Sequence, residues 1–333
     1  MSGTLTVSAE PLSARKNLLR VGTRGSDLAV AQTTTVAQAL ARATGCDVHV
    51  MTVTTQGDLS STSLAQLGGQ GVFATALRQA LQENQCDLVV HSLKDLPTQP
   101  CDELTIGAIP KRVDARDALC ARDALTFDQL PAGARVGTGS PRRIAQIAQN
   151  RSDLDVVDLR GNVDSRLARV ENGDLDAVVL AAAGLSRLDR LSSVTDFFDL
   201  SEMPTAPGQG ALALEVRSSD CAGQGTIARA LASVNHVTTR ACVFAERQVL
   251  SELGVGCAAP LGASAVVDDG LLFLTATLYA LDGSESISAS HAATPNSLSA
   301  ADLADAARDV GTRVAAELRQ TGSHLLESNE VTS

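Results

Sequence analysis

The chain has 333 residues, 44% hydrophobic and 20% charged, which is enough length and apolar content for two or three globular domains. A net charge of −11, no tryptophan and one tyrosine argue against nucleic-acid partners and anionic membrane surfaces, which call for basic faces and stacking rings. Seven scattered cysteines without a CxxC pair, no signal-peptide core and no membrane-length run lead to the expectation of a cytoplasmic protein with reduced thiols. The five histidines show no ligand spacing, so no metal is expected.

In chain order, residues 1–17 are polar and read as a flexible N-terminal arm. From residue 18 to about 216, short apolar runs alternate with helical periodicity, the pattern of a parallel sheet flanked by helices. Residues 18–22 form a first strand that enters Thr23-Arg24-Gly25-Ser26, where Ser26 or Asp27 caps a helix ending near Gly45. Residues 47–54 alternate as a strand. A glycine-rich loop containing Gly68, Gly69 and Gly71 precedes a helix whose apolar face carries Phe73, Leu77 and Leu81. Residues 88–90 form a buried strand that delivers His91-Ser92-Leu93-Lys94-Asp95. The charged stretch 110–123 reads as a connector.

Residues 134–138 form a short strand running into Gly139-Ser140-Pro141-Arg142-Arg143. Ser140 suits an N-cap and Pro141 a first helical position, so Arg142 and Arg143 fall on the first turn of a helix. The helix dipole favours negative charge there, and the misfit disappears if the backbone N–H groups and the two guanidinium forks hold an anion. Residues 155–159 repeat the arrangement, leading into Arg160-Gly161-Asn162-Val163 with Arg166 one turn on. Ligands of open α/β sheets gather at strand C-termini, so Arg24, Lys94, Asp95, Arg142 and Arg160 are expected around one cleft. Residues 204–210 read as a second connector. Beyond about residue 235 the pattern becomes that of a smaller α+β domain. It has a helix over 238–253 closed by Gly254, strands 264–267 and 271–279 joined by an Asp268-Asp269-Gly270 hairpin, an amphipathic helix over 300–319 and a polar tail.

Taken in order, Thr23-Arg24-Gly25-Ser26, residues 91–95, residues 137–143, residues 159–163, residues 206–210 and the Gly256-Cys257 loop closely resemble the porphobilinogen deaminase (hydroxymethylbilane synthase) family. The resemblance runs over about residues 18–325. It implies two doubly wound α/β lobes like those of periplasmic binding proteins, plus a smaller α+β C-terminal domain. Domain 1 would comprise 18–112 and 211–232, domain 2 residues 113–210 and domain 3 residues 233–325, with 326–333 as a tail. The implied reaction condenses four porphobilinogens head to tail into hydroxymethylbilane with loss of four ammonia molecules. Its primer is a dipyrromethane held by a thioether on Cys257.

A growing chain with two carboxylates per pyrrole needs many fixed cations. The resemblance assigns cofactor contacts to Lys94, Asp95, Ser140, Arg142, Arg143, Arg166 and Arg187, and substrate contacts to Arg24, Ser26, Arg160, Arg166 and Gln209. Asp95 matches the catalytic carboxylate, which accepts pyrrole N–H groups and stabilises the positive charge left when ammonia departs. Gly68, Gly69, Gly71 and Phe73 match a mobile lid. The implied enzyme is a monomer that hands its product to the next tetrapyrrole enzyme. Gln66 and Gln70 replace lysines common in the family, and Gly139 replaces a hydroxyl residue seen in some relatives.

Taken singly, these residues have plainer readings. Cys257 alone reads as a buried structural thiol, Phe73 as core, Arg187 as surface charge and His91 as a satisfied strand-end residue. Glu246 and Arg247 read as helix-face contacts. Two rival functions stand beside the transferase. A polyanion-binding protein would leave Cys257 without a purpose, and a nucleotide-dependent enzyme lacks a Walker or GxGxxG pattern after a strand.

Overall fold

A computed structural model of the chain describes residues 3–54, 74–256 and 259–331. The strands are β1 (Leu5–Ser8), β2 (Leu18–Arg24), β3 (Asp47–Val53), β4 (Leu88–Ser92), β5 (Leu104–Ala108), β6 (Asp117–Ala121), β7 (Arg135–Gly137), β8 (Asp155–Val157), β9 (Ala177–Ala181), β10 (Asp196–Phe197), β11 (Leu212–Arg217), β12 (Leu261–Asp268), β13 (Leu271–Tyr279) and β14 (Ser286–Ala293). The helices are α1 (Asp27–Thr44), α2 (Thr75–Gln82), α3 (Pro141–Asn150), α4 (Val163–Glu171), α5 (Ala182–Arg187), α6 (Ser218–Cys221), α7 (Thr226–Val234), α8 (Val237–Leu253), α9 (Ala300–Thr321) and α10 (Ser323–Val331). Among the described residues, 3–54, 74–113 and 211–240 form one compact unit; 114–210, 241–256 and 259–331 form a second.

In the first unit six strands lie in the order β1-β3-β2-β4-β11-β5. Period-two alternation sends Val48, Val50, Leu88 and Val90 to the face under α1 and Met51 and Val89 to the face under Leu77 and Leu81 of α2. Helices thus cover both faces, as a doubly wound sheet requires. Ser26 stands at the N-cap of α1, and Gly45, at φ 70°, closes it. The sheet is mixed, whereas the sequence pattern suggested a parallel one: β11 enters antiparallel between β4 and β5. A strand buried on both faces is an apolar run in either direction, so direction leaves no mark on composition. Within 1–17, read as a flexible arm, Leu5–Ser8 pairs parallel with β3 as an edge strand.

The second unit holds five strands in the order β10-β6-β9-β7-β8, with β7 parallel to β8 and β9 and β6 antiparallel to both its neighbours. Ile147 of α3 packs on one face, Leu167 of α4 and Leu185 of α5 on the other. The stretch 110–123, read as a connector, contains β6, a strand interior to this sheet. Arg116 and Asp117 on one side and Arg122 and Asp123 on the other flank a run of only four apolar residues and mask the strand in the sequence.

The same unit contains the antiparallel sheet β12-β13-β14. Asp269 and Gly270 both take positive φ (44° and 76°), the requirement of a two-residue turn matched to strand twist. Helix α9, capped by Ser299, buries Leu303, Val310, Val314 and Leu318. β14, a serine-rich stretch of low hydrophobicity, and α10, in what was read as a tail, gave no clear sequence signal. No helix among the described residues is long and apolar enough to cross a membrane.

Candidate active site

In the first unit, β2 ends at Arg24 and β4 ends in a 3-10 turn, Leu93–Asp95. The Leu93 N–H donates to Ala211 O at 3.0 Å, fixing the turn to the chain entering β11. Leu93 and Leu96 are buried on either side of half-buried Lys94 and exposed Asp95. Among the described residues the Asp95 carboxylate has no hydrogen bond or ion pair, although the turn that carries it is closed by the Leu96 N–H donating to Leu93 O at 3.2 Å. Ser26 caps α1 through its backbone alone, since its hydroxyl makes no capping bond.

In the second unit the first turn of α3 has the form expected from sequence. Ser140 is the N-cap, accepting from the Arg143 N–H at 3.5 Å, Pro141 is the first helical residue and no acid occupies the turn. Arg142 and Arg143 are, however, buried, and a counterion comes from within the fold. Asp117, fully buried at the start of β6, accepts from Arg142 Nη2 at 2.9 Å and Arg143 Nη2 at 2.6 Å. Burial alone would raise the Asp117 pKa, but the two guanidinium groups hold it far below the usual carboxylate range. Gln209, also buried, donates to Asp117 Oδ1 at 2.7 Å and to Ala115 O at 2.8 Å. The remaining Arg142 donors reach Gln146 Oε1 and Pro204 O, and Arg143 Nη1 reaches Val179 O.

The second arginine site lies beside the first. Asn162 caps α4 by accepting from Ser165 N–H at 2.8 Å, and Gly161 takes φ 116°, a conformation that favours glycine. Arg166 Nε donates to Gly161 O at 2.9 Å. Burial, then the like charges of Arg143 and Arg160, push the Arg166 guanidinium down to about 10. Arg187 is likewise pushed down to about 10 by burial, and its Nη2 donates to Gly210 O at 2.8 Å. Among the described residues, the buried Nε atoms of Arg142, Arg143 and Arg160 have no acceptor. Asp117 faces Arg142 and Arg143, and Asp158, 4.0 Å from Arg160 Nε, is the countercharge beside Arg160 and Arg166, so four guanidinium groups meet two carboxylates and the site keeps a surplus of positive charge and of unused donors. That chemistry suits a ligand bearing several carboxylates.

The structure therefore gathers Ser140, Arg142, Arg143, Arg160, Arg166 and Gln209 in one unit, with Arg187 in the same unit, and carries Arg24, Ser26, Lys94 and Asp95 at strand ends of the other. Gly68, Gly69, Gly71, Phe73 and Cys257, with Gln66 and Gln70, lie outside the described residues. Asp117 and Gln146 were missed from sequence because each pairs across distance. Asp117 sits 25 and 26 positions from its two arginines. Glu246, read as a helix-face residue, is fully buried and accepts from Gly208 N–H at 2.7 Å and Ala265 N–H at 3.1 Å. It ties α8 to β12 and to the segment carrying Gln209.

Residues 19–224 match the family described as "porphobilinogen deaminase, dipyromethane cofactor binding domain", and residues 240–320 match "porphobilinogen deaminase, C-terminal domain". The porphobilinogen deaminase of Leifsonia xyli subsp. xyli is 66% identical over 319 residues, covering 96% of this chain and 97% of that one. That of Thermobifida fusca is 48% identical over 305 residues, covering 91% and 94%. A solved structure, the methionine-binding protein MetQ, overlaps 66% of this chain and 90% of its own with a TM-score of 0.42 at 12% identity.

Proposed function

The chain belongs to the porphobilinogen deaminase family, and from that premise we propose how its own residues share the work. It is a transferase of tetrapyrrole biosynthesis that condenses four porphobilinogens head to tail into hydroxymethylbilane, releasing four ammonia molecules. Its cofactor is dipyrromethane, which supplies the pyrrole end from which the chain grows and stays with the enzyme.

Two pyrroles carry four side-chain carboxylates, and the second unit offers a matching excess of cations. We assign Ser140, Arg142, Arg143, Arg166 and Arg187, with Lys94, to the cofactor's polar groups. Arg24, Ser26, Arg160, Arg166 and Gln209 are assigned to the incoming substrate. The crowding of Arg143, Arg160 and Arg166 carries this reading. Like charges held together with unused buried donors are unfavourable without an anion and become favourable with one.

Asp95 is the catalytic carboxylate. On a turn tied through the Leu93 N–H to Ala211 O it accepts a hydrogen bond from the pyrrole N–H of the reacting substrate, and its negative charge stabilises the positive charge that develops as ammonia leaves. Lys94 binds a substrate carboxylate. Cys257 is the attachment residue, a role resting on its place in residues 254–260. The glycines at 68, 69 and 71 with Phe73 serve as the lid.

We divide the chain into a first lobe of 18–112 with 211–232, a second of 113–210, and a cofactor-bearing part of 233–325. Separate sheets in each support that division. The enzyme acts as a cytoplasmic monomer and passes its product to the next tetrapyrrole enzyme. The free thiols of Cys46, Cys86, Cys101, Cys120, Cys221 and Cys242 support a reducing compartment.

Intact-mass measurement of the purified chain tests the assignment. The expected result is a dipyrrole adduct that is absent from Cys257→Ser. A folded wild-type chain of unmodified mass would favour the polyanion-binding alternative.

A further inference from the structure

We propose that Asp117 is a positioning residue for anion recognition: its carboxylate presets the Arg142 and Arg143 guanidinium groups before any ligand arrives. The proposal deepens, and rests on, the assignment of those arginines to pyrrole carboxylates.

Two neighbouring arginines on the first turn of a helix face the positive end of its dipole and each other. Free in solvent, such side chains would spread over many rotamers, and each would lose that freedom on binding. Asp117 removes that variability. Its Oδ2 takes Arg142 Nη2 at 2.9 Å and its Oδ1 takes Arg143 Nη2 at 2.6 Å, so the two forks are held apart on separate oxygens. The carboxylate is itself immobile. It begins an interior strand, is fully buried, and its Oδ1 also accepts from Gln209.

The stoichiometry separates this from an ordinary ion pair. One carboxylate against two guanidinium groups leaves one positive charge uncompensated in a buried cluster. A structure built for stability alone would match the charges, because an unpaired buried ion is costly. No internal anion would make the two arginines hard to bury, and two would cancel the attraction for a ligand. A single carboxylate meets both requirements. Its strongly depressed pKa keeps it ionised throughout the neutral range, so it is not a proton donor or acceptor in the reaction.

The test compares full-length wild type, Asp117→Asn and Asp117→Glu, each purified as expressed. Adduct occupancy is read by intact mass, folding by circular dichroism and melting, and the loaded fraction by KM and kcat. Asp117→Asn keeps the shape but releases the guanidinium groups. Its expected signature is reduced adduct occupancy and a loss of roughly a hundredfold in kcat/KM, carried mainly by KM. Asp117→Glu restores the charge and should recover occupancy and part of the KM, which a purely steric role would not predict.

A folded Asp117→Asn with wild-type occupancy and KM, whatever its melting temperature, overturns the proposal. If Asp117→Asn does not fold, Asp117→Glu decides. A raised KM supports positioning and an unchanged one refutes it. If neither variant folds, Asp117 serves folding alone and the proposal is wrong. A wild-type chain without adduct would defeat the underlying assignment and the proposal together, an outcome recognisable because it requires no variant.

Discussion

Arg78 grips both carboxylate oxygens of Glu215, with Nε at 3.0 Å from Oε1 and 3.1 Å from Oε2, and Nη2 at 2.9 Å from Oε1. His91 Nε2 lies 3.1 Å from the same Oε2. These contacts join α2, β4 and β11 around a buried carboxylate, and β4 runs directly into the turn bearing Lys94 and Asp95. The support of the turn bearing Lys94 and Asp95 is therefore itself an ionic cluster.

Replacing Glu215 by Gln leaves Arg78 without its countercharge and should destabilise the fold by about 3 kcal/mol or more. Denaturant unfolding measures this, and a loss below about 0.5 kcal/mol would remove Glu215 from the list of anchors. A pH dependence accompanies it. Burial would raise the Glu215 pKa, but its bonds to His91 and Arg78 more than offset that, so the folded value lies below the ordinary 4.5. The stabilisation is thus complete above that pH and is lost as pH falls through the lower folded value. Melting curves of Glu215→Gln should show a shallower acid limb than wild type below about pH 4.5.

Asp95→Asn removes a charge but no contact within the described residues. Turnover should fall by about 10²–10³-fold, the usual loss when one electrostatic stabiliser is removed. Stability should stay within about 0.5 kcal/mol, as for exposed positions generally. The dipyrrole adduct should remain visible by mass. Near-normal turnover would overturn the catalytic role proposed for Asp95.

Arg166→Gln removes a guanidinium whose pKa is pushed down first by burial and then by the like charges of Arg143 and Arg160. The variant should melt at or above the wild-type temperature yet show a KM for porphobilinogen raised about tenfold or more, a separation of stability from function. A variant that is destabilised while KM is unchanged would make Arg166 a scaffold residue.

Gly139→Ala tests the tight approach between the ends of β7 and β8. An added Cβ would lie 2.6 Å from Leu159 O, so the backbone before Arg160 must move. A loss of about 1–3 kcal/mol is expected, as for overpacked sites. Unchanged melting would show that the loop yields freely.

Local signals in the sequence carried much of this description. Ser140, Pro141 and Gly45 mark helix ends through single-residue backbone preferences, and Asp269-Gly270 marks a hairpin for the same reason. The helices on both faces of the first sheet follow from the alternation of residues such as Val48, Val50 and Met51. β6 was hidden because charged residues, Asp117 among them, bound its short apolar run on both sides.

The amino-acid order alone determined where helices such as α1 and α3 begin and, through its ordered motifs, the family. Only the tertiary structure decided which charge answers which. Glu215 meets Arg78 across 137 positions, and Asp117 meets Arg142 across 25. Such pairing depends on which strands become neighbours and in what direction. Coulomb attraction acts through space, and a strand's composition is blind to the direction of the strand beside it.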